Sequence, residues 1–496
     1  MQGRARPPWL WAALYGALLG AAASGCGSRS ALRASESVDA AAGSGGAGGG
    51  ASGSGGLATG GSAGTGGASG GAGGSAGAGG VPFDCGSLVA GPATEVLSFP
   101  DRHATAPSAV TLDTMSPPRI ALQAFASGGS SPLHDDIRLL RFTLDATAPA
   151  GIALELGPTL VGLDSHGWGN LSLAPPGVSG VALAWHGDPG GASRPMFRAI
   201  PAESWTPTPA ANLAPPGTGE AVLALAAGAA TNPGGEYGGQ GYGVVWRRVE
   251  GPSGNATYPV AAVVDVAGTV VIGPHEVSPP STYPGRSPSI VWSGSTYLLA
   301  TAAKECAAGD PPCVNDAVTI SRLRPKAGVE LVSALGAAPG YVPARPTLSR
   351  QGDLVRVAWV ERPELPGSPA RVNLWTLAAN GNPLAGGVLL ETDSDPQSRV
   401  TSNTDAAFVA LVWAEGGDPS LSHDQLGRSR IELRVQDDSG AVFGAQLPST
   451  LFHSYGPPFV VGRGALGSWL VVWGARSMTT GFDVTYAARV DCTGSR

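Results

Sequence analysis

Lysine is almost missing from this chain: Lys304 and Lys326 are the only two in 496 residues, and the formal net charge is -7. Without a basic stripe nothing neutralises a phosphate backbone, which excludes nucleic acid as a partner. Charged residues reach only 14% and aromatic residues 6%, against about 25% charged in an ordinary globular chain. Long helix-forming stretches are lacking too, because 76 glycines and 43 prolines punctuate the sequence, and each costs a helix interior roughly 1 to 3 kcal/mol. What remains is an all-β chain of short strands.

Catalytic signatures are equally scarce. Outside the glycine-rich stretch no G-x-S-x-G nucleophile turn occurs, and there is no G-x-x-x-x-G-K-[ST] phosphate loop and no S-x-D-x-G-x-x-W box. The seven histidines (His103, His134, His166, His186, His275, His423 and His453) never fall as H-x-H or H-x-x-x-H. No catalytic or metal-ligating residue is nominated on this basis.

The amino terminus reads as an address. Arg4 and Arg6 precede an uncharged apolar run from Trp9 to Ala23, and Ala23-Ser24-Gly25-Cys26 then presents small residues before a cysteine. The run is too short and too early for a lasting membrane span, so residues 1–25 read as an export signal. The four residues resemble the lipobox of bacterial lipoproteins. That resemblance implies cleavage before Cys26, lipidation of Cys26 and a membrane anchor. Ala23 departs from the leucine usual in that motif, which leaves plain cleavage near Ala23, or an uncut anchor, as alternatives. Gly27 differs from the residues that hold such lipoproteins at the inner membrane, so the resemblance implies the outer membrane, on its periplasmic or its cell-surface side.

Residues 26–82 read as a tether. From residue 40 to 80 the chain is Gly, Ala, Ser and Thr, with Leu57 the one sizeable apolar side chain, so nothing there offsets the entropy of ordering. A glycine-rich coil of that length reaches roughly 40 Å.

Residues 83–496 repeat. A short apolar strand ending in a large residue recurs as A-L-Q-A-F to Phe125, V-A-L-A-W to Trp185, Y-G-V-V-W to Trp246, Y-L-L-A-T to Thr301, V-R-V-A-W to Trp359, V-A-L-V-W to Trp413 and W-L-V-V-W to Trp473. A second series follows it at Arg141, Arg198, Ala262, Arg322, Trp375, Arg434 and Arg489, and both advance by about 58 residues. Because the first series is apolar on both faces, each unit has to be sandwiched between neighbours. Gly268, Gly328, Gly381 and Gly440 lie six residues after the second anchor and suit hairpin turns into a further strand. Four strands per unit at this period predict a seven-bladed β-propeller, with a β-solenoid as the alternative.

The ends bear on that choice. After Arg489 the chain is too short for a fourth strand, while residues 86–99 form an orphan strand ahead of the first unit. A closed ring lends the orphan to the last blade and removes an exposed edge. Closure then brings Cys85 beside Cys492, leaving Cys306 and Cys313 to pair as a local clip; export would provide the oxidising compartment.

The P-S-I-V-W-S-G-S-T-Y-L-L-A run from Pro288 to Ala300 and the W-L-V-V-W-G-A-R run from Trp469 to Arg476 resemble repeats in Gram-negative secreted proteins and lipoproteins with propeller-type domains. Those families share a fold and no catalytic residues, so the resemblance transfers none.

Ligand expectations rest on the connections between second and third strands. These are longest in units four and six, and three of them contain Gly-Asp-Pro, at Asp188, Asp310 and Asp418. A ring of such carboxylates can hold Ca2+, although Asp-Pro beside Gly is also an ordinary turn start. His423 and Asp424 belong to the unit-six insertion. Trp168, Trp205, Tyr237, Tyr283 and Tyr341 fall outside the strand series, where aromatic rings either stack on sugars or cap blade cores. The expected function is a monomeric, lipid-anchored binding or scaffolding module for an envelope protein or polysaccharide. The alternative, a glycan hydrolase or lyase, requires two or more carboxyls with raised pKa in the central funnel.

Overall fold

The computed structural model describes residues 85–494 apart from 100–102, 113–114, 116, 128–134, 149, 174–178, 188–193, 216–217, 233, 251–255, 278–287, 304–316, 364–367, 393–399, 405–406, 416–429, 448–457, 464–466 and 477–481. The chain divides at Ala78–Gly79 into two units, and every described residue belongs to the second. Among the described residues each regular element is a β-strand.

The protein is a seven-bladed β-propeller. Blade 3 shows the plan: Gly219–Gly228, Gly241–Glu250, Ala256–Asp265 and Val270–Glu276 pair in chain order, each antiparallel to the next. Blades 4, 5 and 6 repeat it over 289–336, 341–392 and 401–447. Blades 1 and 2 share one sheet because Ile152–Leu173 runs from the outermost strand of blade 1 into the innermost strand of blade 2. The fourth strand of blade 2 is only Ala211–Asn212.

Blade 7 takes its fourth strand from the other end of the chain. Leu88–Ala90 pairs with Asp483–Cys492 through Leu88 opposite Cys492, and Thr94–Leu97 pairs with the same strand nearer its start, Thr94 opposite Ala487. The orphan segment is thus two short strands, hinged at Gly91-Pro92-Ala93. Cys85 and Cys492 form the expected disulfide, with their Cα atoms 5.1 Å apart at a sequence separation of 407. Cys306 and Cys313 lie outside the described residues, as do Cys26, the signal and the whole tether.

Closure is also visible in the packing. Side chains alternate along a strand, so each second strand feeds two cores. In blade 6, Val409, Leu411 and Trp413 meet blade 5 residues, while Phe408, Ala410, Val412 and Ala414 meet blade 7. Blade 7 does the same: Trp469, Val471 and Trp473 face blade 6, and Leu470 and Val472 face Ile120, Leu122 and Ala124 of blade 1. Seven such cores join each blade to the next and the seventh to the first. An open solenoid would leave one of these faces uncovered.

Blade 1 is out of phase by one residue. Ala124, not Phe125, takes the position from which tryptophans elsewhere face the preceding blade. The second-strand series therefore contains one member aligned by size rather than by facing.

The innermost strands touch in cyclic order around the axis, and hydroxyls satisfy backbone groups that no ladder pairs there. Ser172 Oγ accepts from Ala227 N–H at 3.0 Å, Ser289 Oγ accepts from Leu348 N–H at 3.0 Å, and Thr401 Oγ1 donates to Pro458 O at 2.6 Å. The four glycines chosen as hairpin residues all have positive φ, at 87°, 78°, 91° and 88° for Gly268, Gly328, Gly381 and Gly440. Only glycine takes up that conformation without steric cost.

Candidate functional site

Second strands end, and third strands begin, on one rim of the ring. The connections carrying Asp188, Asp310, Asp418, His423 and Asp424 are bracketed by strand ends on that rim: Gly187 and Arg194, Ala303 and Ala317, Glu415 and Arg430. All five residues lie outside the described residues. The longest of these connections are 304–316 and 416–429, in blades 4 and 6 as expected.

The same rim carries buried acids that the sequence reading passed over. The second strand of blade 5 carries Trp359-Val360-Glu361 two residues before its end, and that of blade 6 ends as Trp413-Ala414-Glu415. Residues i and i+2 share a face of a strand, so each glutamate stands beside its own tryptophan at the junction with the preceding blade. Trp359 Nε1 donates to Glu361 Oε1 at 3.3 Å, and Trp413 Nε1 donates to Glu415 Oε1 at 3.1 Å. Blade 5 adds a donor to the second of these, because the Thr392 hydroxyl, from the end of its outer strand, also bonds Glu415 Oε1. Arg430 lies 3.4 Å from Glu415 Oε2. Glu361 has no equivalent help: its Oε2 and the Nδ2 of Asn373, both buried at the junction of blades 4 and 5, lack hydrogen-bond partners.

A third acid lies across the strand from Trp413. Glu432 pairs with Trp413 in register and is 1% exposed, with the Arg434 guanidinium 2.9 Å away. Burial raises its pKa above the ordinary carboxyl range; Arg434 opposes that shift and the charge of Glu415 adds to it. A carboxyl that holds its proton nearer neutrality is the property wanted in a general acid. Here, however, it sits in the wall between blades 5 and 6 and not in the central funnel.

A raised folded-state pKa makes the ionised form the costly one. The penalty is absent below the unfolded pKa and grows as pH rises from there through the folded value. Glu432→Gln is therefore expected to raise the thermal midpoint at pH 7 and to leave it nearly unchanged at pH 4. An equal shift at both pH values would assign the gain to packing instead of charge.

The other expected residues are structural where they are described. Trp205 is buried in the core between blades 1 and 2, under the Arg141 guanidinium at 5.1 Å. Tyr237 packs against Trp292 and Tyr297 and donates its hydroxyl to Leu323 O. Burial raises its pKa to about 12. Tyr341 lies under the Arg371 guanidinium at 4.1 Å, and His186 is buried in the wall of blade 2. Among the described residues no three His, Cys, Asp or Glu side chains come together as a metal site. The signal for the buried acids was present in the repeats: Trp-x-Glu occurs at the same place in two successive units, which an alignment of the seven units exposes.

No family model matches the chain, and no curated protein sequence matches it. Solved structures are similar at low identity. The Dos1 propeller matches at 9% identity over 82% of this chain and 96% of that one, with a TM-score of 0.39. Hydrazine synthase of Kuenenia stuttgartiensis matches at 15% identity over 64% of this chain and 80% of that one, with a TM-score of 0.34. An α-L-arabinofuranosidase of Lactobacillus brevis matches at 8% identity over 53% and 89%, with a TM-score of 0.30.

Proposed function

We propose that this chain is an exported, lipid-anchored propeller that binds an envelope protein or polysaccharide through the rim carrying the second-to-third-strand connections. One observation carries the exported part of the reading. The ring is clasped by a disulfide whose Cys85 is fully buried, and such bridges persist in oxidising compartments. The apolar run from Trp9 to Ala23 followed by Cys26 supplies a matching address. The binding part is supported by where the chain puts its extra length: the strand ends that bracket 304–316 and 416–429 lie on one rim, while first-to-second-strand turns on the other are as short as 352–353. Rigid scaffolds place recognition in such connections.

The test begins with Cys26→Ala, which is expected to release the protein from membranes and to abolish incorporation of labelled fatty acid. Retention of the variant, with no label in the wild type, rejects the anchor. An envelope pull-down beside a glycan array then probes the rim, with bound and unaltered ligand as the expected result. A cleaved glycan would favour the hydrolase reading, for which Glu432 is the motivating residue. Its enclosure in the wall supports the binding reading.

A further inference from the structure

The junction between blades 1 and 2 repeats the plan of the acid-bearing junctions with the acid left out. Trp185 stands where Trp359 and Trp413 stand, but the residue two positions on is Gly187 instead of glutamate. Its indole N–H has no acceptor among the described residues, although the side chain is only 3% exposed. Two further donors face the same junction. Gln123, fully buried, lies two residues after Ala121 of that core and so shares its face; its Oε1 accepts from Ser108 at 3.0 Å while its Nε2 has no partner among the described residues. Arg198 lies on the strand face of Met196 and Ile200, with its guanidinium over the Trp185 ring at 5.8 Å. Its Nη1 donates to Val161 O at 2.6 Å, and its Nε is unpartnered.

Two glycines lie beside the indole nitrogen. A Cβ added at Gly162 would come within 3.2 Å of Trp185 Nε1, and one added at Gly187 within 3.1 Å. Three buried donors, one of them cationic, thus lie at one junction without an acceptor among the described residues, an arrangement that burial makes unfavourable. Blades 5 and 6 relieve the same tryptophan donor with their own carboxylate.

We propose that the junction of blades 1 and 2 is a binding site for a compact carboxylate, which takes the place that Glu361 and Glu415 fill in their blades. Trp185 Nε1 and Gln123 Nε2 donate to the carboxylate oxygens, and Arg198 supplies the positive charge. The enclosure of Gln123 and Trp185 limits the ligand to an acid of about acetate size. This site is independent of the rim proposed above and of the lipid anchor.

The experiment uses the folded, disulfide-bonded protein and titrates it with sodium acetate at constant ionic strength. Isothermal calorimetry and tryptophan fluorescence report binding, and acetamide serves as the uncharged isostere. Saturable acetate binding is expected, with acetamide at least tenfold weaker. Trp185→Phe and Gln123→Leu each remove one donor while keeping the bulk, and each is expected to weaken acetate binding by about tenfold. Trp413→Phe, at a junction that already holds Glu415, should leave it unchanged. Absence of saturation in the wild type would overturn the proposal and assign the donors to buried water. So would acetate binding that survives in both donor variants. If one of the two variants fails to fold, the other together with acetamide still decides.

Discussion

Removing the Cys85–Cys492 bridge, by the double substitution Cys85→Ala and Cys492→Ala, is expected to lower unfolding stability by about 5 to 6 kcal/mol. The loop it closes spans a sequence separation of 407, and the stabilisation comes mainly from the loop-closure entropy withheld from the unfolded chain. Native pairing across the closure does not depend on the sulfurs. Thr493 N–H donates to Ser87 O and Gly91 N–H donates to Arg489 O, each at 2.8 Å, and both short strands keep their register on Asp483–Cys492. The folded variant should therefore keep its far-ultraviolet spectrum while its denaturant midpoint falls. An unchanged midpoint would mean that the strand pairing alone holds the ring. Non-reducing peptide mapping provides a second check: the expected fragment joins Cys85 to Cys492, and one joining Cys85 to Cys313 would contradict the closure.

Trp413→Ala is expected to cost about 4 to 5 kcal/mol, the upper range for truncating a buried aromatic residue. The side chain is completely buried between blades 5 and 6, and rigid strands on both sides limit collapse into the cavity. Trp413→Phe separates bulk from polarity. It keeps most of the volume but withdraws the donor from Glu415 Oε1, so a cost of about 2 kcal/mol is expected, because hydrogen bonds to charged groups contribute roughly 1.5 to 3 kcal/mol. Trp185→Phe is the control, since its indole N–H serves no acceptor among the described residues; without added carboxylate its cost should be about 1 kcal/mol or less. Urea denaturation of the three variants measures the comparison. If Trp185→Phe costs as much as Trp413→Phe, the indole bond to Glu415 contributes nothing.

The chain itself determined whatever depends on local period. Apolar residues on both faces of a short strand demand neighbours on both sides, glycine six residues after an anchor demands a hairpin, and an unpaired strand at one end matches a truncated unit at the other. Those signals lie within one repeat or at the chain termini, so blade number, strand order and the Cys85–Cys492 pair were legible before any coordinates. The Trp-x-Glu pattern of the buried acids was legible too, but not how each acid is held, because that environment is assembled across repeats. Glu415 is held by Trp413 on its own strand, by Thr392 from the blade before and by Arg430 beyond the next connection. Likewise the bare donors at Trp185 emerge only when Gln123, Gly162 and Arg198, from three other strands, converge on one junction. Whether a polar side chain inside a ring of sheets is satisfied depends on what the neighbouring blade presents, and only the folded ring decides that.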